Sequence, residues 1–268
     1  MIKNQLVIAV SIIAVFLVSC QKNKENDSNR IKVGVESGPE YVVAQTAQKV
    51  AKERYGLEVE LVEFNDYVLP NTALNDGDID VNAIQHKPFL EDQMKQRGYK
   101  LAVVGNTFIY PLAGYSKKIK SVQELQEGNT IAIPNDATNG GRALLLLQKQ
   151  GLIKLKDTLS LLPKVVDITD NPKKIKIIEL EAPQLPRVLD DREVTIAIIN
   201  NTFAAKAGLT LEAGLFVEDK DSPYVNVIVA REDNKNAENV KKFVQAYQSE
   251  EVAQAADREF KGGAIKGW

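Results

Sequence analysis

From Ile31 onward, short apolar runs alternate with stretches whose apolar residues recur at helical spacing, and that alternation constrains the fold more than any other feature. Ile31-Lys32-Val33-Gly34-Val35 reads as a buried strand. Residues 39–54 carry Val43, Ala47, Val50 and Ala51 on one helical face, and Gly56 stops the helix. Leu57, Val59 and Leu61 alternate with Glu58 and Glu60, as in a half-buried strand. A short helix over 69–74, a strand over 79–84, a helix over 87–97 and a strand beginning at 101–104 complete a first series. A second series predicts strands over 130–133, 165–168, 175–180 and 194–199, with helices over 142–150, 183–189 and 202–207. A strand over 224–230, helices over 237–248 and 251–260, and a glycine-bearing tail to Trp268 close the chain. Strands joined to helices by short loops imply α/β architecture, with parallel sheets covered on both faces.

Two such series suggest two lobes. Lobe 1 is expected over 31–112 and 226–268 and lobe 2 over 113–225, with crossings near 110–115 and 221–226. A ligand would then sit between the lobes, at the C-terminal ends of the strands.

The first thirty residues read as an address. A short basic start is followed by an apolar run over 6–18, broken only by Ser11, which is too short to span a bilayer comfortably. Leu17-Val18-Ser19-Cys20 resembles a bacterial lipobox. That implies removal of residues 1–19 and acylation of Cys20 on its sulfur and new amino group, which makes membrane attachment firm. The alternative is an anchor helix with a chance cysteine, but the chain's one cysteine falls at the lipobox position. Residues 20–30 are then the lipidated cysteine and a polar, flexible tether. The expected location is the cell membrane, lipid-anchored and extracytoplasmic (the periplasmic face if Gram-negative). Gln21 leaves the choice of membrane open.

Net charge is −2 with no basic tract, which argues against nucleic acid as a partner. One histidine and one cysteine exclude a disulfide within the chain and leave little for a metal site, and no cofactor is expected. No Gly-x-Ser-x-Gly elbow, His-Glu-x-x-His pair or phosphate loop points to an enzyme. Acidic neighbours such as Asp78 with Asp80 and Asp190 with Asp191 read as solvated faces or caps.

Pro134-Asn135-Asp136-Ala137-Thr138-Asn139-Gly140-Gly141-Arg142 is the candidate anion-binding turn. Thr138 or Asn139 can cap the helix that follows. Gly140 and Gly141 would let a ligand approach the backbone. Free N–H groups at a helix start favour an anion, and the Arg142 fork suits a carboxylate. An ordinary capped helix with Arg142 in a surface ion pair is the competing reading.

Several stretches resemble the methionine-binding lipoproteins of the MetQ/NlpA family. They are Phe64-Asn65-Asp66-Tyr67-Val68-Leu69-Pro70-Asn71, Gln85-His86-Lys87-Pro88-Phe89, Gly105-Asn106-Thr107, Tyr110-Pro111 and Ala113-Gly114-Tyr115-Ser116. Pro134-Asn135-Asp136, Glu181-Ala182-Pro183-Gln184-Leu185-Pro186-Arg187 and Ser222-Pro223-Tyr224-Val225-Asn226 also match, so the similarity runs from about Ile31 to Trp268. The resemblance implies a two-lobed periplasmic-binding-protein fold (type II-like) that captures L-methionine for the permease and ATPase of an ABC importer.

It also implies ligand-binding roles residue by residue. Arg142 matches the carboxylate-binding arginine, with Asn139 in the same turn. Asn226 matches a residue that holds the ammonium or carboxylate; a sheet-edge hydrogen bond is its alternative. Asn200 matches another such residue, although Asn201 beside it could be the contact or merely a helix cap. Tyr67, His86 and Phe89 resemble the thioether pocket, with Tyr110 and Tyr115 as weaker candidates. D-methionine or a methionyl dipeptide are the nearest alternative ligands. A small-molecule hydrolase and a surface antigen or adhesin are the alternatives from other classes.

Overall fold

The structure, a computed structural model, describes residues 29–157 and 160–268. The signal segment, Cys20 and the tether up to residue 28 lie outside the described residues. In chain order the elements are β1 (Arg30–Glu36), α1 (Pro39–Tyr55), β2 (Glu58–Phe64), α2 (Leu69–Asp76), β3 (Val81–His86), α3 (Lys87–Arg97), β4 (Leu101–Ile109) and β5 (Ala113–Tyr115). There follow β6 (Thr130–Pro134), α4 (Ala137–Lys149), β7 (Lys154–Leu155), β8 (Ile168–Asp170), β9 (Lys176–Leu180), β10 (Val194–Ile199), α5 (Asn201–Lys206) and β11 (Phe216–Val217). The chain ends with β12 (Val225–Arg231), α6 (Glu238–Tyr247), α7 (Glu250–Glu259) and β13 (Ile265–Lys266).

These elements build two sheets. The first has the order β13-β4-β12-β3-β1-β2 and the second β11-β5-β10-β6-β9. The chain passes from the first to the second between Ile109 and Ala113 and returns between Val217 and Val225. On one face of the first sheet α1, α6 and α7 bury Val43, Ala47, Phe243, Val252 and Ala256 against Ile31, Val33 and Ile228. On the other, Leu74 and Leu90 pack with Leu101, Val227 and Val229. The second sheet is covered by α4 through Leu144 and Leu147 against Ile131, Ile133 and Ile196. Its opposite face packs Leu185, Leu189 and Phe203 against Ala197 and Ile199. Layered α/β architecture with both sheet faces buried is therefore observed.

The expectation of parallel sheets holds only in part. β1 pairs in parallel with β2 and β3, but β12 runs antiparallel to both β3 and β4. In the second sheet β10 is parallel to β6 and antiparallel to β5. A strand that returns from another sheet need not obey the crossover rule for consecutive βαβ units. The predicted strand over 165–168 is instead a 3-10 turn followed by β8, which pairs only with β7 in a separate ribbon. The predicted helix over 183–189 resolves into two 3-10 turns, Ala182–Gln184 and Arg187–Asp190. Pro186 withholds an amide hydrogen that a continuous helix starting at Pro183 needs. In the glycine-bearing tail β13 pairs with β4, and Trp268 packs edge-on against Phe108.

Candidate functional site

β3 is buried along its whole length although it carries Asn82, Gln85 and His86. Its amides are satisfied by Asn71 of α2 and by each other, Gln85 Nε2 donating to Asn82 Oδ1 at 2.9 Å. Asn71 Nδ2 donates to Gln85 Oε1 (2.7 Å), while Asn82 Nδ2 and Gln85 Nε2 both donate to Asn71 Oδ1 (2.9 and 2.6 Å). This closed amide cluster fixes the end of β3 and so the position of His86. There His86 caps α3: its Nδ1 accepts from the Phe89 N–H at 3.1 Å. Nδ1 is therefore unprotonated, and Nε2 carries the hydrogen. That hydrogen is donated to Asn139 Oδ1 at 3.1 Å.

Asn139 comes from the start of α4, on the second sheet. Its Oδ1 also accepts from Asn200 Nδ2 at 2.7 Å, while its own Nδ2 donates to Asp136. The expected cap is corrected here: Asp136, not Thr138 or Asn139, caps α4, taking the Asn139 N–H at 2.8 Å. Thr138, Asn139, Gly140 and Gly141 lie inside the first turns of the helix. The free anion-binding helix end expected from the sequence thus already holds a carboxylate. The glycines do not face a ligand. A Cβ on Gly140 would meet the Pro134 carbonyl oxygen at 2.8 Å, and one on Gly141 the Leu161 oxygen at 2.9 Å. Both let the helix pack against its own lobe.

Arg142 is buried, not in a surface pair. Its Nε donates to Glu218 Oε1 (2.9 Å), and its Nη2 donates to Glu218 Oε2 and to the Tyr110 carbonyl (3.0 Å). The Tyr224 ring lies 4.4 Å below the guanidinium carbon, a cation–π contact. One nitrogen, Nη1, is left without a hydrogen bond among the described residues.

Tyr67, His86, Phe89, Tyr110, Asn139, Arg142, Asn200, Asn201, Thr202 and Asn226 line one nearly closed cavity of about 20 Å³ between the two sheets. That is room for about one water molecule and far below the volume of an open small-molecule site, so these side chains must part to admit a larger ligand. All seven residues singled out from the sequence border it. So does the weaker candidate Tyr110, whereas Tyr115 is buried in the core of the second sheet. Asn226 stands opposite His86 in the β12–β3 register, and its side chain has no hydrogen-bond partner among the described residues. Asn200 has a buried Oδ1 with no partner among the described residues. Asn201 Nδ2 donates to the Gly263 carbonyl at 2.7 Å, and both neighbours line the cavity. The rings of Tyr67 and Phe89 meet edge-on at 6.2 Å, as do those of His86 and Phe89.

The rim is closed by contacts between elements of the two sheets. Tyr67 packs on Phe203 at 4.8 Å. The Thr202 hydroxyl donates to Glu40 Oε1 at 2.5 Å, and Lys206 reaches Ser37 and Asn65. Burial, with the Arg142 charge, pushes the His86 pKa down to about 3, so the ring is neutral at ordinary pH. Burial and mutual repulsion push Glu36 up to about 9, and burial pushes Glu40 up to about 8. No cluster among the described residues could hold a metal ion. Sequence reasoning missed Glu218, Tyr224 and Thr202. Only the Ser222-Pro223-Tyr224 match pointed towards any of them.

A family model described as NlpA lipoprotein matches residues 31–268. The chain is 67% identical over 253 residues to the D-methionine-binding lipoprotein MetQ of Escherichia coli K12, covering 94% of this chain and 93% of that protein. It is 68% identical to a crystal structure of the methionine binding protein MetQ, with a TM-score of 0.89 over 90% of this chain and 99% of that one. A nutrient binding protein from Burkholderia cenocepacia, bound to methionine, is 49% identical with a TM-score of 0.86, covering 89% of this chain and 100% of that one.

Proposed function

Because the chain belongs to the NlpA lipoprotein family and has the two-lobed periplasmic-binding-protein fold of its relatives, we propose that it is the methionine-binding protein of an ABC importer. In this reading it is held outside the cytoplasm by acyl groups on Cys20 and passes L-methionine to a permease and its ATPase. Residues 31–112 with 226–268, and 113–225, are its two lobes.

The observation that carries the reading is one cavity that combines a buried cation, unpartnered amide groups and an aromatic cluster. A zwitterion with a thioether side chain needs these three things. Arg142 Nη1 takes the carboxylate. Asn200 Oδ1 and Asn226 take the ammonium, and Asn139 holds Asn200 in place. Tyr67, His86 and Phe89 enclose the sulfur, which packs on ring edges at about 0.3–1.5 kcal/mol per contact. Methionine has about nine non-hydrogen atoms, so a ceiling of about 1.5 kcal/mol per atom limits affinity to about 13 kcal/mol, near nanomolar.

Hydrolysis fits the residues poorly. His86 has both nitrogens engaged and a pKa far below neutrality, which makes it a weak base. D-methionine is the second reading, favoured by the printed name of the Escherichia coli relative. The test is calorimetry on chain from Gln21 onward, unfolded and refolded to remove carried ligand, then titrated with L-methionine, D-methionine and glycyl-methionine. Tight one-to-one binding of L-methionine supports the proposal. Preference for either of the others replaces the ligand, and heat with none of them overturns the assignment.

A further inference from the structure

We propose that Glu218, by neutralising Arg142 within the cavity wall, makes the cavity select ligands with a zwitterionic head group over ligands carrying a carboxylate alone. The inference rests on the methionine reading and assigns charge selectivity to a residue outside the cavity lining.

The geometry shows a fixed pair. Glu218 receives two hydrogen bonds from Arg142 and a third, at 3.2 Å, from the Leu112 N–H to Oε2. Its own N–H donates to the Leu112 carbonyl at 2.8 Å. Arg142 in turn donates to the Tyr110 carbonyl. Both charges are thus anchored to the segment where the chain crosses between the sheets. The side chains are 3% and 15% exposed, so water screens the pair little. Lys149 and Asp219, on the outer side, pair with each other and are largely solvated.

Charge balance follows. Besides Arg142, the cavity is lined by amides, a hydroxyl, aromatics and a histidine whose Nδ1 accepts a backbone N–H, so the Arg142–Glu218 pair adds no net charge to its wall; behind the lining, Asp136 is held by Asn139 and the Thr138 hydroxyl, and Glu40 by Thr202. Methionine adds one negative and one positive charge, and the net charge of the closed site does not change. A deaminated analogue adds only the negative charge and leaves one unbalanced charge in a poorly polarisable enclosure, which is unfavourable. Without the Glu218 charge the bookkeeping reverses: the analogue balances Arg142, and methionine leaves an excess positive charge. Glu218 is therefore a positioning residue that acts on the ligand through Arg142.

The test compares L-methionine with 4-(methylthio)butanoate on the full chain and on Glu218→Gln and Glu218→Asp. The ratio of the two affinities is expected to shift at least tenfold towards the analogue in Glu218→Gln and to stay within threefold of the parent in Glu218→Asp. Equal weakening of both ligands in Glu218→Gln would mean that Glu218 only orients Arg142, and overturns the proposal. Should that variant not fold, equal affinity of the parent chain for the two compounds overturns it as well. A parent chain that binds neither compound overturns the methionine reading, and this inference with it.

Discussion

Arg142→Met separates the two tasks that the structure gives this arginine. The substitution keeps an unbranched side chain but removes the hydrogen bonds to Glu218 and the Tyr110 carbonyl. Glu218 is left as a largely buried carboxylate without its cation. Removing one partner of a buried pair destabilises by about 3–5 kcal/mol. Glu218 keeps the Leu112 N–H and some exposure, so the lower end, about 3 kcal/mol, is expected. A domain with about 5–15 kcal/mol to lose stays folded at 25 °C. Arg142→Met/Glu218→Leu no longer strands a charge and should regain most of that loss, while methionine binding stays abolished in both variants. The assay is urea denaturation followed by far-UV circular dichroism, with Trp268 fluorescence in parallel. The one tryptophan packs on Phe108 in the first sheet, so it reports that half separately. A loss below about 1 kcal/mol in the single variant, or no recovery in the double, would refute the stranded-charge argument.

Asn226→Ala should behave in the opposite way. Its side chain has no protein partner to strand, so denaturation should move by less than about 0.5 kcal/mol, while calorimetry should show methionine affinity lower by about 2 kcal/mol, roughly thirtyfold. Gly140→Ala drives a Cβ towards the Pro134 carbonyl and should destabilise by about 1–3 kcal/mol, read by the same denaturation series. The pH dependence has a definite sign. Glu36 and Glu40 hold their protons in the folded chain up to about pH 9 and 8, whereas the unfolded chain releases them near 4.5. Their contribution is fully present below about pH 4.5 and is lost as pH rises towards 8–9. Glu36→Gln removes this dependence, so its stability relative to the parent chain should rise by up to about 1.4 kcal/mol for each pH unit between pH 4.5 and 8. His86 runs the other way. Its lowered pKa withdraws stability as pH falls from about 6.5 towards 3, and methionine affinity should not titrate with it between pH 5 and 7.

The sequence announced the cavity better than its supports. His86, Asn200 and Asn226 sit at or beside strand ends, where apolar runs of β3, β10 and β12 give way to polar residues, and such ends are visible in a pattern of hydropathy. The cap of α4 was misread because Asp136, Thr138 and Asn139 are all good capping residues, and only the backbone turn decides among them. Glu218 was missed because 76 residues separate it from Arg142, and one carboxylate in an acidic loop has no local signature. The antiparallel β12 and β13 were equally hidden, since strand direction depends on how the chain returns from the other sheet. The 3-10 turns at 182–190 were the more legible miss, because Pro186 interrupts the helical spacing there.

The most direct measurement is a crystal of the protein from Gln21 onward, grown with ordinary methionine in the chain and soaked with L-selenomethionine, with anomalous diffraction collected at the selenium edge. The account predicts one strong selenium peak in the cavity among Tyr67, His86 and Phe89, with the ligand carboxylate at Arg142 and its ammonium between Asn200 and Asn226. A peak elsewhere on the molecule, or an inverted ligand with selenium at Arg142, would contradict it.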